Sequence, residues 1–299
     1  MTVNPIEVDV LCVGHASYDL VYSVPHHPRE DEKMVADSFL SCGGGPAANA
    51  AVMVAKLGLK SAFVGYLGCD IYGEIHQQEL IDHSVNVEKI VRGTSPTPQS
   101  MVLVKPDGKR VLINYKGETK ALPEAAVDCS TLKTKVILFD GHEPHISIPL
   151  ARYAKAQGIP TVLDAGSVHE GTLALMDKVD YLVCSEKFAL QLHNDTEIAL
   201  SQLAEISSNV VITLGDIGLI WQQGSTRGAL PAFPVDVVDT TGAGDAFHGA
   251  FAAAVALEMS WDEILRYASV AGTLCCTKVG ARLGLPSSQE HWAFFKRDK

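Results

Sequence analysis

Eleven consecutive residues, Asp239 to Gly249, read Asp-Thr-Thr-Gly-Ala-Gly-Asp-Ala-Phe-His-Gly. A run of β type, Phe233 to Val238, leads into them, and a run of small apolar residues, Ala246 to Leu257, leads out. The expectation is a strand, a tight glycine turn and a helix. Gly242 and Gly244 allow the backbone to come close to a ligand. The first turn of the helix has N–H groups without an intrahelical partner and the positive end of the macrodipole, so an anion belongs there. The N–H groups of Gly242, Ala243, Gly244 and Asp245 would hold it. Asp245 is the odd member, because a carboxylate beside an anion hole repels a bound phosphate. Its presence makes sense if it takes a proton from whatever attacks that phosphate. An Asp favoured in a helical first turn, with glycines as turn punctuation, gives the same letters.

A second glycine cluster, Gly43-Gly-Gly-Pro-Ala-Ala-Asn49, lies upstream. Its Gly43-x-Gly45-x-x-Ala48 spacing superficially fits a dinucleotide fingerprint, which also needs an acidic residue at the end of the next strand. That strand, Ala62 to Leu67, ends in Gly68-Cys-Asp70, and the fit is loose. Gly68 to Gly73 has the glycine spacing of a P-loop, but Glu74 stands where Lys is required. The better reading of Gly43, Gly44 and Gly45 is a backbone turn that admits a small polyol, with the Asn49 amide toward its hydroxyls. A helix start with a surface Asn is the alternative. Together the two segments resemble the N-terminal and C-terminal signatures of the ribokinase-like (PfkB) carbohydrate kinases, in the same order and across nearly the whole chain. Within that family, the first cluster, Val235-Asp-Val-Val-Asp239 and Phe247-His-Gly249 are most similar to the sulfofructose kinases.

The resemblance implies an ATP-dependent phosphotransferase acting on a primary hydroxyl of a small sugar: ribose, fructose or a related ketose, or a sulfosugar. Asp245 would be the general base, and Asp19, after the first strand, would accept hydrogen bonds from sugar hydroxyls. Lys33 and Asn114 fall on expected lid strands, as distal substrate contacts or as solvated lid surface. Phe139-Asp-Gly-His-Glu143 ends a strand where open α/β folds bind ligands, which makes Glu143 and His142 further contacts. For the nucleotide, the resemblance points to Thr213, Gly215 and Gly218 at a strand end, to Ser185 and to Cys275. Magnesium should ride on the ATP. The family's Asn-x-x-Glu segment reads Ser185-Glu-Lys-Phe188 here, which leaves Glu186 to act through water. Asp239 and Thr241, with the loop Lys278 to Arg282, resemble a monovalent-cation site for potassium; a strand-end turn is the alternative for Asp239.

The elements needed to position these residues are legible in the hydrophobic pattern. Val8–Gly14 reads as a buried strand, and Tyr18–Val24 and Val35–Leu40 as two more. Helices are expected at Ala47–Leu57 and Ile71–His83, with the strand Ala62–Leu67 between them. Gln99–Val104 and Arg110–Asn114 flank Pro106-Asp-Gly-Lys109, a clear hairpin signal. From Val136 onward short strands at Val136–Asp140, Thr161–Asp164, Tyr181–Cys184 and Val210–Leu214 alternate with helical stretches. The expected fold is α/β: a doubly wound, mostly parallel sheet flanked by helices. A small inserted β-sheet lid, formed by about 17–41 and 98–116, completes a single ribokinase-like domain over 1–299.

Composition sets outer bounds. The 299 residues are 47% apolar and 20% charged, ordinary for a soluble protein, and the formal net charge is −11. That charge argues against nucleic-acid and anionic-membrane partners. The seven cysteines are scattered and form no Cys-x-x-Cys, so neither zinc nor a disulfide framework is indicated. No basic stretch precedes an apolar one at the N-terminus, and a cytoplasmic protein is expected. Two rivals remain: a nucleoside kinase on the same fold, which would want aromatic lid contacts for a base, and a sugar-binding sensor without catalysis, which would have no need of Asp245. A homodimer through the lid is a further expectation from the resemblance.

Overall fold

A computed structural model describes residues 6–106, 108–128 and 132–297. The chain opens with β1 (Ile6–Val13), β2 (Ser17–Ser23) and β3 (Ser38–Gly44), then α1 (Pro46–Lys56), β4 (Ser61–Val64), β5 (Tyr66–Gly68) and α2 (Ile71–Asp82). Two short strands, β6 (Val85–Asn86) and β7 (Val91–Gly93), precede β8 (Gln99–Val104) and β9 (Arg110–Tyr115). The expected alternation follows: β10 (Leu132–Phe139), α3 (Pro144–Gln157), β11 (Thr161–Ala165), α4 (Glu170–Leu175), β12 (Tyr181–Ser185), α5 (Glu186–Leu192), α6 (Thr196–Leu203) and β13 (Asn209–Thr213). Then come the hairpin β14 (Gly218–Gln223) and β15 (Thr226–Pro231), and the helices α7 (Ala243–Ala256), α8 (Trp261–Cys275), α9 (Ala281–Gly284) and α10 (Ser288–Phe295).

Among the described residues the main sheet has nine strands in the order β15-β14-β13-β12-β11-β10-β1-β4-β6. Every neighbouring pair from β13 to β6 is parallel, and the β13–β14 and β14–β15 pairs are antiparallel. Side chains of a strand alternate between its faces, so each central strand serves two cores. Val10 and Cys12 of β1, Val136 and Leu138 of β10 and Val183 of β12 pack with α1, α7 and α8 on one face. Leu11, Val13, Ile137, Phe139, Leu182 and Cys184 pack with α3, α5 and α6 on the other. Helix α7 is buried from Ala246 to Ala256 because it lies between the sheet, α1 and α8. Its alanines, like those of α1, let these helices approach closely.

A four-stranded sheet in the order β3-β2-β8-β9 stands beside this body as the lid. Strand β2 pairs antiparallel with β3 and parallel with β8, and β8 pairs antiparallel with β9. The register sets Cys42, Asp19, Ser100 and Asn114 in one row across the sheet. The next row, Ser41, Leu20, Met101 and Ile113, points the opposite way by the pleat. Asp107, in the expected hairpin turn, and Cys129 lie outside the described residues.

Four boundaries differ from expectation. Phe233–Val238 is not a strand: it pairs with no strand of the sheet, and Pro234 within it has no N–H to give to a ladder. Instead the N–H groups of Val238 and Asp239 donate to the Cys276 carbonyl, at 2.8 and 3.3 Å, at the end of α8. The hairpin β14–β15 was not expected, although Gly224-Ser225 between two strand-like runs is its ordinary signal. Ala62–Leu67 splits at Gly65, whose carbonyl accepts from Val91 N at 2.9 Å, so that β5 leaves the main sheet and pairs with β7. Finally, β3 starts at Ser38 and runs through Gly43 and Gly44, which pair with Tyr18 and Ser17; the glycines are a strand end, not a break.

Candidate active site

The start of α7 is shaped by Asp239 and Gly242. Gly242 has φ +80°, and a Cβ there would lie 2.6 Å from that of Ala281, so only glycine fits this turn. The Asp239 carboxylate is buried; Oδ1 accepts from the Thr241 N–H at 2.9 Å and from its hydroxyl at 2.7 Å. Its Oδ2 accepts from Gly280 N at 2.8 Å, which ties the turn to the loop before α9. These partners are neutral, so the arrangement suits a monovalent cation close by. On the open side, nothing lies within 4 Å of the position a Cβ of Gly244 would take. The helix start is therefore open at Gly244, with the macrodipole behind it. Ala243, expected among the free donors, instead gives its N–H to the Thr240 carbonyl at 3.3 Å as part of the turn.

Asp245 stands at that opening. Its Oδ2 accepts a hydrogen bond from Asn49 Nδ2 at 2.7 Å, although Asn49 belongs to α1 and is 196 residues distant in sequence. Burial first, and the nearby Asp164 second, push the Asp245 carboxyl up to about 7, against the Asn49 hydrogen bond. Asp245, Asn49, Gly242 and Thr241 line a cavity of about 300 Å³ whose opposite wall is the lid row Asp19, Ser100 and Asn114. Asp19 accepts from the Ser17 hydroxyl at 2.9 Å, and its carboxyl is raised by burial against Ser17 and Arg282. A Cβ on Gly44 would fall 2.2 Å from Asp19 Oδ2, so this glycine leaves the room in which the carboxylate sits. Gly43 donates its N–H to Glu79 Oε2 at 2.6 Å, and Gly45 and Pro46 form the cavity edge. A buried carboxylate, an open helix start and a polar cavity thus meet at one point.

The chain from residue 8 to 288 matches the model of the pfkB family carbohydrate kinases. The chain belongs to that family. The kinase is 29% identical over 286 residues to the ribokinase of Lactococcus lactis, with 94% of this chain and 95% of the relative covered. It is 31% identical over 280 residues to fructokinase-2 of Zea mays, with 83% and 84% covered. Its fold superposes on the structure of Arabidopsis thaliana ribokinase complexed with ribose and ATP with a TM-score of 0.85 at 28% identity, covering 98% and 99% of the two chains. It is a sugar kinase with the ribokinase-like architecture. Among the described residues no helix is long and apolar enough to cross a membrane.

Several residues of the kinase take places other than those expected. Lys33 is exposed in the loop between β2 and β3 and does not line the cavity, because β3 begins only at Ser38. Glu143 is buried with Oε2 accepting from Leu122 N at 2.6 Å; burial pushes it to about 7, and it does not line the cavity. Its neighbour His142 does line it, together with His15 and Lys116. The rings of His15, His142 and His169 follow one another at 5.1 and 4.6 Å between centroids. Burial, then the neighbouring His142, pushes His15 down to about 3, so its ring is neutral.

Two residues the motifs did not single out hold the walls together. Asp140, at the end of β10, accepts at Oδ2 from His15 N at 2.7 Å and Ala47 N at 3.1 Å, and at Oδ1 from His142 N at 2.9 Å. A buried carboxylate at the carboxyl end of a parallel strand was the available signal. Arg110, on β9, donates to the Thr241 hydroxyl at 2.8 Å and links lid to anion turn; its lid position gave no signal.

On the nucleotide side, Ser185 and Thr213 are register partners at the carboxyl ends of β12 and β13. Ser185 is a helix cap, accepting from Phe188 N at 3.1 Å, and its hydroxyl donates to the Gly166 carbonyl at 2.8 Å. Glu186 is exposed in the first turn of α5. Gly215 and Gly218 form the turn that leads from β13 into β14. Cys275 is different: it is fully buried, with Sγ 3.6 Å from the Thr241 carbonyl, and burial pushes its thiol up to about 12. It packs beneath the anion turn and offers a nucleotide no surface.

Proposed function

We propose that this kinase transfers the γ-phosphoryl group of ATP to a primary hydroxyl of a small sugar, of the ribose or fructose type. The observation that carries the reading is Asp245 at the open N-terminus of α7, in the same cavity as Asp19 and Asn114. Asp19 and Asn114 grip hydroxyls and bring the acceptor oxygen to Asp245. As that oxygen bonds to phosphorus, the bond to the departing diphosphate oxygen breaks and the hydroxyl proton passes to Asp245. The N–H groups of Gly242, Gly244 and Asp245 stabilise the charge developing on the transferred group. The lid sheet, tied to the turn through Arg110, keeps water from the site. Glu186, exposed at the start of α5, would meet through water a magnesium ion carried by the triphosphate, and that ion would offset the phosphate charge when bound. Asp239 and Thr241 suit potassium, which adds positive field beneath the anion hole. Thr213, Gly215, Gly218 and Ser185 form the nucleotide edge.

Two observations refine the acceptor class. Among the described residues lining the cavity there is no Phe, Tyr or Trp to stack on a base, which favours a sugar over a nucleoside. Lys116 and Arg110 line the same cavity, which favours a second reading in which the acceptor is a sulfosugar. The test is a panel of pentoses, hexoses, sulfosugars and nucleosides with ATP, scored by phosphate transfer. Turnover of neutral sugars supports the first reading and turnover confined to sulfosugars the second. Transfer to nucleosides alone, or to nothing, overturns both.

A further inference from the structure

We infer that Arg282 is a positioning residue for the general base: by holding the Asn49 side-chain oxygen it forces the Asn49 N–H group onto Asp245, and so fixes which carboxylate oxygen takes the substrate proton. Arg282 Nε donates to Asn49 Oδ1 at 3.1 Å, and Asn49 Nδ2 donates to Asp245 Oδ2 at 2.7 Å. A guanidinium can only donate, so a flipped Asn49 would set N–H against N–H in a site where both residues are at most 3% exposed. The amide therefore has one orientation, and Oδ1 is the oxygen of Asp245 left for the hydroxyl.

Arg282 is itself fixed from behind. Its Nη2 lies 3.2 Å from Nε2 of the fully buried His76, and burial holds that ring neutral and able to accept. Its Nη1 lies 3.9 Å from Glu79 Oε2, the oxygen that receives the Gly43 N–H. The groups around Asp245 are Asn49 from α1, Asp19 from β2, Asp164 from β11, His248 from α7 itself, the buried Cys275 thiol from α8 and Arg282 from α9. Arg282 is the permanent cation among them. Without it, Asn49 loses its fixed orientation and the ionised base loses a favourable charge.

The inference rests on the reading of Asp245 as the base, and the experiment separates the two. Arg282→Met, Asn49→Ala and their double variant are compared with Asp245→Asn, using ATP with ribose or fructose. Thermal melts check folding; if Arg282→Met does not fold, Arg282→Met/Glu79→Gln replaces it, since Gln can still accept from Gly43. Without any acceptor, the Asp245 carboxyl is titrated by carbon-13 NMR and assigned by its loss in Asp245→Asn. The expected result is a fall in kcat of about 10²-fold in Arg282→Met. The double variant should fall little below Asn49→Ala alone, and the Asp245 midpoint should rise by about one pH unit. Additive losses with an unmoved Asp245 midpoint overturn the inference and leave the base intact. Near-normal turnover by Asp245→Asn removes the base reading itself.

Discussion

Asp245 carries two opposed demands, and both can be measured. To serve as the proposed base it must be ionised, yet burial pushes its carboxyl to about 7. The kcat/KM of the free enzyme should therefore rise with pH through about 7, and Asp245→Asn should cut kcat by about 10²–10⁴-fold with KM values changed far less. Stability runs the other way. The folded-state value is raised above the ordinary carboxylate value, so the contribution of Asp245 is present at low pH and lost as pH rises through about 7. Asp245→Asn should then melt higher than wild type at pH 8.5, by roughly 2–4 °C, and equal it near pH 4. An equal melting difference at both pH values would refute this account of the carboxyl.

The elements act by bringing short polar segments to one edge. Three unconnected pieces build the site: the β2–β3 arm with α1, the lid hairpin β8–β9, and the turn into α7. Their separation makes the lid a distinct target. Asn114 shares a row with Asp19, so Asn114→Ala should raise KM for the sugar severalfold while leaving KM for ATP unchanged; Lys33→Ala, in the exposed loop, should change neither. Steady-state kinetics with each substrate varied decides between this assignment and a purely solvated lid strand. The Asp239 bridge between Thr241 and Gly280 gives a second expectation at this scale. Activity should be higher in potassium than in sodium or lithium buffers, and Asp239→Asn should abolish the difference. Equal rates in all three salts for wild type would remove the cation.

For the whole molecule, the lid pleat has a consequence beyond catalysis. One face of the lid looks into the cavity, and the other exposes Met101, Val111 and Ile113, with Phe39 on β3. Strand β9 is also an unpaired edge. A homodimer through this face is the expected state: light scattering after gel filtration should give twice the 32.0 kDa chain mass, and Ile113→Glu should give monomers. A wild-type monomer at micromolar concentration would refute it.

What the sequence determined by itself was local. The glycine turn before α7, the Pro-started helix after Gly43–Gly45 and the alternation beyond Val136 follow from backbone freedom and hydrophobic period, which nearest neighbours fix. The two signatures likewise pointed to the family. Tertiary structure decided which polar groups meet. Asn49 reads as a residue for hydroxyls, yet its amide is committed to Asp245 and Arg282, from segments 196 and 233 positions away. Phe233–Val238 has the composition of a strand and is not one, since its last N–H group and that of Asp239 are taken by the Cys276 carbonyl at the end of α8, a partner far along the chain. Glu143 and Cys275 carry groups suited to ligands, but burial gave one a backbone N–H and the other a packing place. Periodicity records which face of an element is apolar; it does not record which other element will cover it, and the partners of Asp245 are set by that packing.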